Sequence, residues 1–232
     1  HVSFIWHVMY NELAITYFIE GLQQLKNLKT IIFPKLLNQS IGLLSAISKV
    51  TNLTELSIAY DYFFGIDGKA EDFDPTQKTS FTLDSLSTLV NLQKLNIRNH
   101  GPRGRKYCFA NELLPFFPKL NSLTIADTIR VEDFNYIKSI TKLTKLKMLQ
   151  LWQLPTNDID LSKLTKLQVL SITHKDDVKS FSFLSQLPYL KYLDVSYCRS
   201  FGSNKPSGLS IISEHCKQLE RLDITGCQLL NE

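Results

Sequence analysis

The chain has 232 residues, of which 44% are hydrophobic and 21% charged, a composition that excludes extended disorder and indicates a globular protein. Its 26 basic and 22 acidic residues give a formal charge of +4, too balanced to indicate nucleic-acid or membrane-surface binding by itself. No apolar stretch reaches the roughly 18 residues that a membrane span needs, so we expect no membrane association.

The opening segment carries no targeting signal. The chain begins at His1, and HVSFIWHVMY has neither the basic start nor the small-residue cleavage site of a signal peptide. We therefore expect a fragment or processed chain that is truncated at its amino end, with Val2 and Phe4 as the inward pair of an incomplete repeat. Apolar residues then recur at helical spacing over residues 10–25, which predicts a helix.

One apolar frame, L-x-x-L-x-x-L-x-L, dominates the rest of the chain. Measured at the residue that opens each L-x-L pair, successive copies lie 25, 39, 28, 26, 21, 23 and 29 residues apart. We expect a single domain over residues 1–232, with about eight to nine repeats. The copies are LKNLKTIIF (25–33), VTNLTELSI (50–58), LVNLQKLNI (89–97), FPKLNSLTI (117–125), LTKLKMLQL (143–151), LTKLQVLSI (164–172), LPYLKYLDV (187–195) and CKQLERLDI (216–224).

This frame has a direct physical interpretation. The L-x-L alternation is that of a strand with one buried face, and the preceding L-x-x-L brings two more apolar groups to the same interior. Because one such turn cannot bury its apolar face alone, neighbouring turns must stack. The sequence therefore predicts an α/β fold, a curved leucine-rich-repeat solenoid with a parallel sheet on the concave face and helices and irregular turns on the convex face.

Segments between the repeats supply the predicted convex side. Residues 181–190 are one such segment, and residues 208–219 are another. For the second, Ser207 or Ser210 is available as an amino-terminal cap. Its apolar residues recur at helical spacing, at Leu209, Ile212, Cys216 and Leu219.

The last forty residues resemble a particular subclass. The stretch YLDVSYCRSFGSNKPSGLSIISEHCKQLERLDITGCQLL is similar to the cysteine-containing leucine-rich repeats, with Cys198, Cys216 and Cys227 on the positions that this subclass marks with cysteine. Many such arrays are the substrate-recognition part of F-box proteins in ubiquitin ligases. The resemblance implies a protein partner, together with a Skp1-like adaptor bound through a missing amino-terminal segment.

The cysteines and the short motifs give no sign of catalysis. There is no C-x-x-C pair, no Cys/His cluster with zinc spacing and no recognised nucleotide, hydrolase or metalloprotease motif, so we expect no enzyme activity, metal or cofactor. Reduced thiols and an intracellular location, cytoplasmic or nuclear, are the better interpretation. The cysteines are Cys108, Cys198, Cys216 and Cys227.

Binding is expected on the sheet face, where residues beside and between the inward leucines face solvent. Trp152, His174, Tyr192 and Tyr197 cluster across three adjacent repeats and are the residue types that dominate binding hot spots. The alternative is that these aromatics only cover neighbouring loops. Further candidates in the same exposed columns are Asp194, Arg98 and Tyr60.

Two insertions give a second candidate region. An acidic and aromatic segment spans residues 60–78 and a basic one spans residues 98–107, both at the edge where consecutive predicted strands end. The alternative is that their charges neutralise one another or remain solvated. The loop candidates are Asp72, Asp74, Arg103, Arg105 and Lys106. Nucleic-acid binding is disfavoured because the sheet face is not itself basic.

These features predict a non-catalytic protein-protein interaction module. The narrower hypothesis is the substrate-recognition part of an F-box type ubiquitin ligase. Two alternatives remain, a scaffold subunit of a larger assembly and a secreted microbial effector with eukaryotic-like repeats. An extracellular receptor ectodomain is disfavoured by the cysteine usage.

Overall fold

The computed structural model describes residues 17–18, 20–22, 24–36, 47–60, 83–99, 117–126, 140–151, 160–173, 180–203 and 206–228. Within these ranges eight strands form one open parallel sheet, in the order in which they occur along the chain. The predicted α/β class and parallel sheet are thereby confirmed. The strands are β1 (Thr30–Leu36), β2 (Glu55–Tyr60), β3 (Lys94–Asn99), β4 (Ser122–Ala126), β5 (Met148–Leu151), β6 (Val169–Ile172), β7 (Tyr192–Asp194) and β8 (Arg221–Asp223).

Every strand pairs with the next one in the register that the apolar frame predicts. The residues that open the L-x-L pairs form one continuous row across the sheet, and in β1 to β6 the closing residues form a second row from Phe33 to Ile172. The first row consists of Ile31, Leu56, Leu95, Leu123, Leu149, Leu170, Leu193 and Leu222.

The length of the connection does not change this register. Leu56 pairs with Leu95 across 39 residues of sequence, and Leu149 pairs with Leu170 across 21. A longer connection adds only a modest loop-closure entropy, whereas a shift of one residue would turn the apolar row outward. The register is therefore determined by burial of the leucines.

The two rows form the core together with the leucines of the preceding turns. Turn residues such as Leu53, Leu92 and Leu146 are fully buried, as are Leu56, Leu123 and most other members of the first row. In most repeats the strand contributes two apolar side chains and the preceding turn another two, which gives a continuous interior rather than separate small cores.

Backbone hydrogen bonds close the L-x-x-L turns that lead into the strands. The N–H of Leu146 donates to the carbonyl of Leu143 at 2.9 Å, and the N–H of Leu167 donates to that of Leu164 at 2.9 Å. Successive turns are also joined, because the N–H of Gln168 donates to the carbonyl of the preceding turn's Lys147 at 2.9 Å. We call this side of the sheet, where the strands begin, the leading edge, and the opposite side the trailing edge.

The connections combine one α-helix with shorter 3-10 helices. Among the described residues, 3-10 helices occupy Leu83–Thr88, Ser182–Gln186 and Arg199–Phe201, and an α-helix occupies Gly208–His215. Residues 17–18, 20–22 and 24 are also helical, which agrees with the helix predicted over residues 10–25.

The Gly208–His215 helix begins as the sequence predicts. Ser207 is its N-cap, and its Oγ accepts a hydrogen bond from the N–H of Ser210 at 3.1 Å. Cys216 is the C-cap and is buried, as the helical spacing predicts.

The buried face of this helix differs from the prediction at Leu209, whose side chain is 37% exposed. Ile212 is buried as predicted, and the helix also buries Gly208 and Ile211. Gly208 lies against the Phe201 ring so closely that a Cβ there would be 2.1 Å from the ring. The helix thus approaches the core through its glycine, which rotates Leu209 away from the interior.

Two leucines of the repeat frame are exposed at the two ends of the described sheet. Leu25 is 42% exposed and Leu222 is 36% exposed, whereas Leu193 is fully buried. Leu222 pairs in register with Leu193, so it continues the inward row, but its side chain is only partly covered. Its strand, β8, pairs only with β7 among the described strands, so one side of its side chain lacks a covering repeat.

Two further sequence expectations concern the amino end and membrane association. Val2 and Phe4, the suggested inward pair of an additional repeat, lie outside the described residues. None of the helices in the described ranges combines the length and the apolar character needed to cross a bilayer.

Candidate binding surface on the last two strands

The predicted site residues divide into three groups. Tyr192 and Asp194 lie on β7, and Tyr197 lies in the turn that follows this strand. Arg98 lies on β3. Tyr60 ends β2, and its side chain is outside the described residues. The other predicted members also lie outside the described residues, namely Trp152, His174, Asp72, Asp74, Arg103, Arg105 and Lys106.

Arg98 is not brought to the β7 residues. β3 and β7 are four strands apart in the sheet, which at the usual strand spacing corresponds to roughly 19 Å. Arg98 is exposed, and its Nε donates to Oδ1 of Asn96 on the same strand at 3.3 Å. The surface that the structure assembles therefore consists of β7, β8 and the turns that follow them.

An arginine on β8 stacks against the predicted tyrosine on β7. Tyr192 and Arg221 pair in register, and Cζ of Arg221 lies 5.0 Å from the centroid of the Tyr192 ring, which is a cation–π contact. Burial raises the pKa of the Tyr192 hydroxyl, and the negative charges of Asp194 and Asp223 raise it further, against an opposing effect of Arg221. The hydroxyl is therefore neutral at physiological pH and can donate or accept a hydrogen bond.

Asp194 accepts hydrogen bonds from the serines on either side of it. Its Oδ2 accepts from Oγ of Ser171 on β6 at 2.8 Å, and its Oδ1 accepts from the N–H of Ser196 at 3.0 Å and from the Ser196 hydroxyl. Ser171 and Ser196 are buried, so the expectation that these columns face solvent is wrong at both positions. Hydrogen bonding to the carboxylate satisfies the hydroxyls and makes their burial possible.

Two turns of the same construction end β7 and β8. In residues 195–198 and 224–227, the N–H of the fourth residue donates to the carbonyl of the first at 3.0 Å. The third residue of each turn has a left-handed backbone, with φ of 61° at Tyr197 and 71° at Gly226. This is the pattern of a type II turn, in which glycine is the preferred third residue.

An aspartate precedes each turn and bonds to it in the same way. Asp223 Oδ1 accepts from the N–H of Thr225 at 3.0 Å, as Asp194 does from the N–H of Ser196. The hydrogen bonds from Thr225 lower the pKa of the Asp223 carboxyl, so this group remains ionised at neutral pH. The two carboxylates pair in register across β7 and β8.

Tyr197 combines backbone strain with exposure. A left-handed φ is uncommon for a residue with a Cβ, yet Tyr197 adopts it and leaves 49% of its surface exposed. Its ring lies on Gly226 of the next turn, where an added Cβ would be 2.6 Å from Cδ1 of the tyrosine. Because Gly226 has no side chain, the Tyr197 ring packs directly against its backbone.

The cysteine that follows each turn connects it to the previous repeat. Sγ of Cys198 donates to the carbonyl of Ile172 at 3.3 Å, and Sγ of Cys227 donates to the carbonyl of Val195 at 3.1 Å. Ile172 and Val195 are equivalent positions one repeat apart, so the thiol has the same function in both repeats. Each cysteine therefore acts as a small group at the corner where the chain leaves the strand, with its thiol as a weak hydrogen-bond donor.

Two of the described thiols are held in the protonated form. Burial raises the pKa of both the Cys216 and the Cys227 thiol, which keeps them protonated at neutral pH, and a thiolate is what a nucleophile needs. Cys198, Cys216 and Cys227 form no disulfide. In the part of the chain that the structure describes, no group of three or more potential ligands is arranged to hold a metal ion.

Three residues of this surface were not selected from the sequence. Arg221 and Asp223 occupy the same exposed columns as Tyr192 and Asp194, and the repeat frame alone could have paired them. Gly226 could have been found by aligning DVSYC with DITGC, which sets it opposite Tyr197.

Comparison with known proteins adds no relative. No protein-family model matches the chain, and no curated protein matches it.

Proposed function

We propose that this chain is a non-catalytic protein-binding module, a single curved leucine-rich-repeat solenoid that contacts its partner through the face of its last two strands. The proposed contact residues are Tyr197, Tyr192 and Arg221, with Asp194 and Asp223 as the polar groups beside them. These residues lie on two paired strands and the turns that follow them, so one partner surface can touch them together.

The observation that carries this proposal is the conformation of Tyr197. At an equivalent turn the chain uses glycine, the residue for which a left-handed φ has no steric cost. Retaining a half-exposed tyrosine there costs on the order of 1 kcal/mol, and strained residues of this kind cluster at functional sites. About half of the Tyr197 surface remains exposed, so a partner can pack against the ring.

The chemistry of the neighbours supports a protein partner. Tyrosine and arginine are enriched at binding hot spots because they offer a large rigid surface together with hydrogen-bonding groups. The stacked Tyr192 and Arg221 restrict one another's motion, so less conformational entropy is lost when they are covered. The carboxylates beside them offer acceptors to a donor-rich partner.

The cysteine turns support the narrower form of the proposal, the substrate-recognition part of an F-box type ubiquitin ligase. Cys198, Cys216 and Cys227 are free thiols that donate to backbone carbonyls, which requires the reduced state. This chemistry favours a cytoplasmic or nuclear location. Co-purification of a Skp1-like adaptor with the full-length protein tests this form separately.

The first experiment uses two tyrosines of nearly equal exposure. Tyr197 is 49% exposed on the trailing edge, and Tyr189 is 51% exposed on the leading edge. A photo-reactive phenylalanine analogue at position 197 of the full-length protein should crosslink to a discrete partner in cells. The same group at position 189 should not give that product. Equal products from both positions would contradict the proposal.

The second step measures affinity for the crosslinked partner. Tyr197→Gly removes the ring and supplies the residue that the turn prefers, so the fold is retained. We expect binding to weaken by about 30-fold, which corresponds to roughly 2 kcal/mol. Tyr189→Ala is the control and should bind within about twofold of the parent. Unchanged affinity of folded Tyr197→Gly would exclude Tyr197 as a contact.

A further inference from the structure

A second surface lies on the leading edge, away from the proposed contact face. The turns that precede β5 and β6 carry five exposed lysines, Lys142, Lys145 and Lys147 on one turn and Lys163 and Lys166 on the next. The two turns read TKLTKLK and SKLTKLQ, so two of the lysine positions repeat after 21 residues.

The hydrogen bonding sets these lysines side by side. Both turns close through the same leucine-to-leucine bond of 2.9 Å, and they are joined by the bond from the Gln168 N–H to the Lys147 carbonyl. Lys142 therefore neighbours Lys163, and Lys145 neighbours Lys166, with backbones about 4.8 Å apart. Like charges directly opposite one another are unfavourable in a sheet. We call these four residues the lysine patch.

The patch lies in a strongly basic part of the chain. Residues 140–151 and 160–173 contain five lysines and one aspartate, a local net charge of +4 that equals the formal charge of the whole sequence. That aspartate, Asp160, accepts from the N–H of Ser162 at 2.9 Å and lies near Lys163. The lysine ion pairs found within the described ranges, Lys94–Glu55 and Lys191–Glu220, do not involve the patch.

The same turn position has a structural function in earlier repeats. Asn52 and Asn91 are equivalent to Lys145 and Lys166, and each donates through its side-chain amide to the carbonyl of the preceding turn. The bonds are Asn52 to Lys26 at 3.2 Å and Asn91 to Thr51 at 3.1 Å. Lys119 holds this position in the turn before β4 and donates to Oδ1 of Asn91 at 2.6 Å. Lys145 and Lys166 form no such bond within the described ranges, so their turns carry clustered charge at a position that is structural in other repeats.

We propose that the lysine patch binds an acidic segment of a partner protein. The lysine patch is a separate surface from the contact face of the last strands. Its positive charge determines the chemistry of the segment that it binds. The patch spans two turns, which matches a few carboxylates of a peptide. Nucleic-acid sites usually offer more phosphate contacts, with arginine or aromatic side chains between them, and these two turns have neither.

The test measures binding of a fluorescein-labelled oligo-glutamate peptide to the full chain by fluorescence anisotropy over a range of NaCl concentrations. The patch variant is Lys142→Gln, Lys145→Gln, Lys163→Gln and Lys166→Gln. The control variant removes the same charge elsewhere on the described surface, with Lys26→Gln, Lys29→Gln, Lys49→Gln and Lys217→Gln. Both should fold, since all eight lysines are exposed.

We expect salt-sensitive binding to the parent chain, weakened at least about tenfold in the patch variant and less than about threefold in the control. Equal weakening in both variants would assign the binding to net charge and overturn the proposal. So would absence of binding at low salt. Tighter binding of a single-stranded RNA of matched charge, or of vesicles rich in phosphatidylserine, would also overturn it.

A smaller change separates binding from stability. Lys145→Asn with Lys166→Asn introduces the residue that the turns before β2 and β3 have at this position, so the melting temperature should stay the same or rise while peptide binding falls. Joint loss of melting temperature and binding would mean that the lysines are structural, and would overturn the proposal. Neither outcome affects the crosslinking result at Tyr197.

Discussion

The two edges of the sheet are held together in different ways. On the leading edge the backbone closes each turn, through bonds such as Leu146 N–H to the Leu143 carbonyl. On the trailing edge after β7 and β8, side chains contribute as well, from an aspartate, a hydroxyl residue and a cysteine. On the leading edge a side-chain bond such as those of Asn52 and Asn91 is added in some repeats only, and the residue at that position is asparagine, lysine, tyrosine or glutamine. Where side chains close the turn, the sequence is restricted to D-x-[ST]-x-C.

The two proposed surfaces differ in the same way. On the leading edge, Lys145 and Lys166 occupy the position at which Asn91 forms a stabilising hydrogen bond, and they do not form it. On the trailing edge, Tyr197 has a strained backbone within a restricted motif. We expect the trailing edge to be the more sensitive of the two to mutation.

The largest effect is expected at Gly226. Gly226→Ala introduces a Cβ into a left-handed backbone and against the Tyr197 ring, so we expect a loss of about 2 kcal/mol in the free energy of unfolding. Urea denaturation measures it. In the background of Tyr197→Ala the clash is absent and the loss should fall to about 1 kcal/mol. A loss that is the same in both backgrounds would mean that the ring does not rest on Gly226.

A smaller effect is expected at the cysteines. Cys198→Ala removes a fully buried sulfur and its bond to the Ile172 carbonyl, for a loss of about 1–2 kcal/mol in the free energy of unfolding. Cys227→Ala removes the equivalent bond at a half-buried position and should cost about half as much. Thermal and urea unfolding give both values. A larger loss at Cys227 would contradict the equivalence of the two turns.

The smallest effect is expected on the leading edge. Asn91→Ala removes the bond to the Thr51 carbonyl and should cost about 0.5–1 kcal/mol, while Lys166→Ala should change the free energy of unfolding by less than about 0.5 kcal/mol. Urea denaturation of the two single variants makes the comparison. If Lys166→Ala costs as much as Asn91→Ala, the lysine is itself structural and the contrast between the turns disappears.

The strands could be predicted from the sequence because each depends on a local pattern repeated many times. A one-residue slip at any strand would expose its leucine, so burial forces the eight frames into one register. The helix cap at Ser207 was equally local and was also predicted. The apolar frame and the cap residue are both contained within a few neighbouring positions.

What the sequence did not predict depends on neighbours in space. Leu209 has the right spacing for burial, but the contact between Gly208 and Phe201 turns it outward. Ser171 has the position of an exposed residue, but the carboxylate of Asp194 on the next strand covers it. The positive φ of Tyr197 had no residue-type signal at all, since tyrosine is not a residue that indicates a left-handed turn.

The independence of register from connection length has an evolutionary consequence. Leu56 and Leu95 remain partners across 39 residues, as Leu149 and Leu170 do across 21. A mutation that lengthens or shortens the segment between two strands therefore leaves the strand register nearly unchanged, whereas one residue inserted within a strand turns its buried side chains outward. A sheet of this kind can acquire new loops by insertion without change to its core. Loops are the segments in which new binding functions commonly arise.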